Sequence, residues 1–208
     1  MGKTFFISDL HFGHKNALAY DNRPFVDIES HDKALIENWN SVVNIDDDVW
    51  VLGDFSWYNA TKTIELFSQL NGIKHLIVGN HDHKLIRNKD VRSLFVDIYD
   101  YKELDIGQRD PLVLCHYPIV CFNRHYTGGY HFYGHVHNSY EWNMMENYRR
   151  QSEELYSKPC NMINVGVMMP YMQFRPQTFD EIIANYGTWK QTLFSPTVEE
   201  AQSNVQCD

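Results

Sequence analysis

The chain reads as an α/β protein, and three observations predict that class. Short apolar runs alternate with stretches whose apolar residues recur at helical spacing. Nearly every short run stops at Asp, Asn or His, usually beside a glycine. The composition, 43% hydrophobic and 22% charged over 208 residues, is that of an ordinary globular chain with enough length for a real core.

The elements follow in order. Lys3–Ser8 is a buried strand that runs into Asp9. Ile28–Val43 is a helix with Leu35, Trp39 and Val42 on one side, Ile36 and Val43 beside them, and Ser30 as its cap. Asp46-Asp47-Asp48 reads as a solvated turn rather than a metal cluster, because adjacent side chains point apart. Val49–Leu52 is a strand stopped by Gly53-Asp54. Thr61–Leu70 is a helix that turns Ile64, Phe67 and Leu70 inward and ends at Asn71-Gly72. Lys74–Val78 is a strand stopped by Gly79-Asn80. Val96–Leu104 and Leu112–Cys115 are strands, the second stopped by His116. Tyr130–Tyr133 is stopped by Gly134-His135. Met162–Val167 is a further strand and Phe179–Tyr186 a short helix. Residues 1–187 are expected to form one domain carrying an insertion at 138–161, with 188–208 as a polar tail.

Composition excludes several functions. No run approaches the ~18 apolar residues of a membrane span. The net charge of −9, from 18 basic and 27 acidic residues, argues against a protein that coats duplex nucleic acid. The start of the chain is too short and polar for a secretory signal. The four cysteines lack a CxxC spacing and read as free thiols, so a cytoplasmic location is expected.

The 11 histidines carry the functional signal. In open α/β sheets, ligands sit outside the carboxyl ends of the strands. The polar groups at those ends are Asp9-Leu10-His11, Gly53-Asp54, Gly79-Asn80-His81-Asp82, His116 and Gly134-His135-Val136-His137. Carboxylate, amide oxygen and imidazole together form a divalent-metal ligand set, larger than one ion needs. In each of the DxH and HxH pairs an extended backbone would aim both side chains to one face. The glycines before Asp54, Asn80 and His135 allow backbone geometries that other residues resist.

These five blocks, in this order, resemble the calcineurin-like metallophosphoesterase superfamily. Ser8–Asn16, Asn22-Arg23-Pro24-Phe25, Asn164-Val165-Gly166 and Arg175-Pro176 narrow the resemblance to small bacterial and phage-type members. The resemblance implies a four-layer αββα sandwich. It implies that Asp9, His11 and His137 hold one divalent ion, that Asn80, His116 and His135 hold a second, and that Asp54 bridges them. Manganese is the favoured ion, with iron, zinc and nickel as alternatives. The reaction it implies is attack on phosphorus by a hydroxide held between the ions. His81 would be the general acid, oriented by Asp82.

The substrate is expected to be a small phosphate ester, a phosphodiester or a nucleotide. A phosphomonoesterase or diphosphate hydrolase is the alternative. A metal-binding scaffold or interaction module, and a metal store, are the non-catalytic ones. His14, Arg23, Asn123 and Arg124 are the expected substrate contacts, Arg for its planar fork of donors. For His14, helix capping competes with that role. Trp57-Tyr58 could stack on a base, although packing under a loop is preferred. His31, His75 and His83 read as surface or packing residues. His125 and His131 border the pocket loop. Asn138–Asn161 is helical in composition, either a lid or partner surface or an ordinary surface helix. The oligomeric state is left open.

Overall fold

A computed structural model describes residues 2–108 and 110–194. Two sheets organise them. The first contains β1 (Thr4–Ile7), β2 (Asp48–Val51), β3 (Ile73–Ile77), β4 (Ile98–Tyr99) and β9 (Gln177–Thr178), in the order β4-β3-β2-β1-β9. The second contains β5 (Tyr101–Leu104), β6 (Leu112–Cys115), β7 (Tyr130–Tyr133) and β8 (Asn161–Asn164), in the order β5-β6-β7-β8. Strands β1 to β4 are mutually parallel, as are β6 to β8, while β9 and β5 are antiparallel edges. Parallel strands end on the same side, so the residues following β1, β2 and β3 are brought to one rim, as are those following β6 and β7.

Three apolar clusters build the layers. Between the sheets, Phe6, Trp50, Leu52 and Ile77 of the first face Leu112, Leu114, Phe132 and Ile163 of the second. On the outer face of the first sheet, Phe5, Ile7, Val49, Val51 and Leu76 pack against three helices. These are α2 (Ile28–Val42), α3 (Ala60–Phe67) and α4 (Lys89–Arg92), through Leu35, Trp39, Leu66, Phe67 and Val91. On the outer face of the second, Val113, Tyr133 and Met162 pack against Trp142, Met145 and Tyr148 of α5 (Tyr140–Tyr156). Strands buried on both faces read as continuous apolar runs, which is why their sequences show little alternation. The result is the expected four-layer α/β sandwich. A short helix, α1 (Lys15–Tyr20), follows the first strand-end loop.

The structure corrects several boundaries. Val96–Leu104 is not one strand. It is β4 and β5, which lie in different sheets with Asp100 alone between them. A run of apolar residues carries no record of a change of partner. The cap of α2 is Asp27, whose carboxylate accepts the Ser30 N–H at 2.7 Å while Ser30 Oγ accepts the Asp27 N–H. Asp47 is buried rather than solvated, accepting from the backbone of Lys3 and Asn44. The last helix, α6 (Phe179–Phe194), continues past Tyr186 into the expected tail. Trp189 holds it there, with its ring 5.6 Å from that of Trp142 and 5.1 Å from that of Tyr171. Residues 195–208 lie outside the described residues. Helix α5 is anchored by Arg149, buried and paired with Glu146 and Glu153 at 2.9 Å each. That places the 138–161 segment in the outer layer of the second sheet.

Candidate metal centre

The strand ends bring the expected ligands together. Ligand atoms of Asp9, His11, Asp54 and His137 all lie within 4.8 Å of one another. His11 Nε2 is 3.2 Å from His137 Nε2 and 3.6 Å from Asp54 Oδ2, and His137 Nε2 is 3.5 Å from Asp9 Oδ1. A second group adjoins it. Asn80 Oδ1 is 3.0 Å from His116 Nε2 and 2.9 Å from His135 Nδ1. Asp54 Oδ2 is 3.7 Å from His116 Nε2, so one carboxylate oxygen faces both groups.

The local backbone is not the extended one expected of DxH and HxH. Asp9, His11, Asp54, His135 and His137 all have positive φ, between 49° and 69°. Non-glycine residues enter this region at a cost of roughly 1–2 kcal/mol each, and such strain clusters at functional sites. The left-handed residue turns the chain sharply at the strand end and aims its side chain across the rim. The preceding glycines work in two ways. Gly53 itself needs φ +90. Gly134 has an ordinary φ, but a Cβ there would run into Ser8 Oγ and Asp9 Oδ2.

The surrounding hydrogen bonds set the ring orientations. His116 Nδ1 donates to the Leu52 carbonyl at 2.7 Å, which leaves Nε2 as a lone pair facing Asn80 and Asp54. His137 Nδ1 pairs with Asp21 Oδ1 at 2.7 Å, which turns its Nε2 to His11. The backbone N–H of His135 donates to Asp9, linking the two sheets. Carboxylate-to-imidazole support of this kind is the usual backing of a metal-ligating histidine. Asp21 was missed in the sequence, where only its place beside Asn22-Arg23 marked it.

Two expected roles are corrected. Arg23 is buried, and each of its three guanidinium nitrogens has protein partners. Nε and Nη2 reach Asp21 Oδ2, Nη2 also reaches the Asp9 carbonyl, and Nη1 reaches the Leu10 carbonyl and His31 Nε2. It cannot also hold a substrate phosphate; it braces the Asp9-Leu10-His11 turn from beneath. Asp82 does not orient the His81 ring. Its carboxylate accepts from the backbone N–H groups of Asp54, Phe55 and Gly79 at 2.8, 3.0 and 2.8 Å. It therefore pins the loop that presents Asp54. Burial, with the nearby Asp54 charge, pushes its pKa up to about 6.

Asn123 and Arg124 are not at the site. Asn123 bonds Glu103, and Arg124 pairs with Asp110, which precedes β6 at the far end of the sheet. His131 is also removed: fully buried, it bonds Val113 and Ile119, and burial lowers its pKa to about 4. His125 bonds the Phe122 carbonyl. His14 does reach the site, with Nδ1 3.3 Å from His11 Nδ1, and makes no side-chain cap to α1. One face of its ring stacks on Trp57 at 3.9 Å, so Trp57 has that face already covered. Tyr58 instead donates to Asp32, which also accepts from Gly13 N and His31. His81 stands outside the ligand cluster, 42% exposed, with Nε2 3.9 Å from Asp54 Oδ2.

The donor set fits divalent cations. Burial lowers the pKa values of His11 and His135, favouring neutral imidazoles, the form that binds metal, while against its burial the Asp9 and Asp21 carboxylates raise that of His137. Burial, with the nearby Asp9 charge, pushes the Asp54 carboxyl up against the pull of His116. Buried carboxylates beside lone pairs that face one another are a site short of positive charge.

Among the described residues no helix is long and apolar enough to cross a membrane. An uncharacterized protein of Methanocaldococcus jannaschii is 49% identical over 84 residues, 39% of this chain and 48% of that protein. The Gene 66 protein of Mycobacterium phage L5 is 34% identical over 136 residues, 58% of this chain and 65% of that protein. The chain thus spans about half the length of the first and just under two thirds of the second. The crystal structure of a protein of unknown function from Aquifex aeolicus has the same fold. It matches with a TM-score of 0.65 at 25% identity, over 88% of this chain and 99% of that one. A family model described as calcineurin-like phosphoesterase matches residues 2–183, and the chain belongs to that family.

Proposed function

We propose that this protein is a phosphoesterase with two divalent metal ions, acting on a phosphodiester or nucleotide-type substrate. The observation that carries the reading is the position of Asp54 Oδ2 between two converging groups of donors. Asp9, His11 and His137 would hold one ion, and Asn80, His116 and His135 the other, with Asp54 shared. Bound there, such ions supply Lewis acidity and lower the pKa of water to about 7.

The chain's own residues account for the rest. The braced turns hold the ligands without rearrangement, so the centre is preorganised for charge developing on phosphorus oxygens. His81 is the group placed to give a proton to the leaving oxygen. It lies beside Asp54, its backbone N–H is fixed to Asp54 Oδ1 at 3.0 Å, and its ring stays open to solvent. Asp82 positions Asp54 rather than His81.

The test is hydrolysis of bis-p-nitrophenyl phosphate and p-nitrophenyl phosphate by protein loaded with Mn²⁺, with Asp54→Asn as the blank. Faster cleavage of the diester, abolished in the blank, supports the proposal. Faster cleavage of the monoester moves the assignment to a phosphomonoesterase. Two bound metals with no turnover of either ester overturns the enzymatic reading in favour of a metal-binding scaffold.

A further inference from the structure

A groove of about 800 Å³ opens beside the candidate centre, with Asn80 and His81 on its wall. That volume lies within the range of small-ligand sites. Besides Asn80 and His81, its lining includes His83, Lys84, Arg87 and Trp57. Its lining contains no Asp or Glu, in a chain that has 27 of them. Two other clefts on the molecule carry several carboxylates each: Glu29, Asp32, Glu37 and Glu65 in one, Asp48, Asp105 and Asp180 in the other. Lys84 and Arg87 are exposed and make no ion pair among the described residues.

Unpaired cations gathered in one carboxylate-free groove, on a chain of net charge −9, form a local anion trap. The groove adjoins the ring proposed to protonate the leaving group. What lies in it is therefore the leaving-group side of the substrate. We infer that this groove binds a second phosphate, carried by the leaving group, with Lys84 and Arg87 as its specificity-determining residues. The inference rests on the phosphoesterase reading above and narrows it. The substrate class is a phosphate ester or anhydride whose departing half is itself phosphorylated. Arg87 offers a planar fork and Lys84 a mobile point charge, and both form charge-assisted hydrogen bonds with phosphate.

Two sources share that chemistry, a nucleoside diphosphate and a single-stranded oligonucleotide. Wild type and the double variant Lys84→Ala/Arg87→Ala are loaded with Mn²⁺ and assayed on bis-p-nitrophenyl phosphate, ADP and hexathymidylate. The leaving group of the first carries no phosphate; those of the other two do. The expected result is a loss of at least about tenfold in kcat/KM, through KM, on whichever of ADP and hexathymidylate is hydrolysed. Where one only inhibits, its inhibition constant rises by the same factor. Activity on bis-p-nitrophenyl phosphate stays within about twofold. Equal losses on all substrates, or none on any, overturn the inference. So does a wild type that cleaves bis-p-nitrophenyl phosphate yet neither hydrolyses nor is inhibited by the other two, and that result leaves the phosphoesterase reading standing. A wild type that turns over none of these three substrates, nor p-nitrophenyl phosphate, defeats the phosphoesterase reading instead. The groove is then judged by fluorescence anisotropy of labelled hexathymidylate. At least tenfold weaker binding by the double variant supports it, and equal affinity, or no binding by the wild type, overturns it.

Discussion

Replacing Arg23 by Leu separates a brace from a substrate contact. In the structure the guanidinium is wholly enclosed, and its removal orphans the Asp9 and Leu10 carbonyls and leaves Asp21 with His137 alone. Removing one partner of a buried ion pair costs about 3–5 kcal/mol, and stranded carbonyls add to it. For a chain of this size 1 kcal/mol moves the melting temperature by about 2–4 °C, so a fall of about 6–20 °C is expected. Asp21 also fixes the ring of His137; without Arg23 its carboxylate is held less firmly, and since complete loss of such support weakens metal binding by about 10–100-fold, a fall within that bound is expected. The assays are thermal unfolding by circular dichroism and Mn²⁺ affinity by titration calorimetry. An Arg23→Leu protein that melts within about 2 °C of wild type, binds metal normally and shows only a raised KM would refute the reasoning and restore Arg23 as a substrate contact.

Three other outcomes are expected. His81→Ala lowers kcat by about 10²–10⁴-fold while metal content, measured by plasma emission, is unchanged; loss of metal would show His81 to be a ligand. Gly134→Ala forces a methyl group into Ser8 and Asp9, destabilising by about 1–3 kcal/mol and displacing a ligand carboxylate; a melting curve and Mn²⁺ affinity both matching wild type would contradict this. His131 titrates near 4 when folded, below its ordinary 6.5, so the unfolded chain takes up the proton first. Its contribution is complete above pH 6.5 and is lost as pH falls towards 4, about 3 kcal/mol in all. The difference in melting temperature between pH 7 and pH 4.5 should therefore shrink in His131→Gln, and an unchanged difference would be inconsistent with a buried neutral ring.

The candidate centre was legible because parallel strands expose their carboxyl ends together, so Asp9, Asp54, Asn80, His116 and His135 announced themselves as polar stops. What surrounds it was not. Arg23 beside a candidate site reads equally well as a clamp or a strut, and only the folded turn reveals that two carbonyls, Asp21 and His31 occupy its donors. Asp82 follows His81 in the chain, yet its side chain turns inward to three backbone N–H groups contributed largely by another strand end. Spacing arguments assumed an extended DxH, whereas left-handed residues make the turn. The β4–β5 break was hidden for a related reason: both halves have strand-like composition, and hydrogen-bond partners are not written in composition.

The two halves of the centre also set an order of events during synthesis. His11 and His137 stand with their ring nitrogens in contact although 126 residues separate them in the chain. Asp21, which seats His137, is likewise 116 residues away from it. A chain emerging from the ribosome can pair β1 with β2 early, but it has no complete centre until β7 has been made and docked. Until then the strained turns of Asp9, His11 and Asp54 lack the groups that complete them. Metal capture by this protein would thus report that both sheets have closed on each other, and truncated or misassembled chains would be distinguishable by their failure to retain the ion.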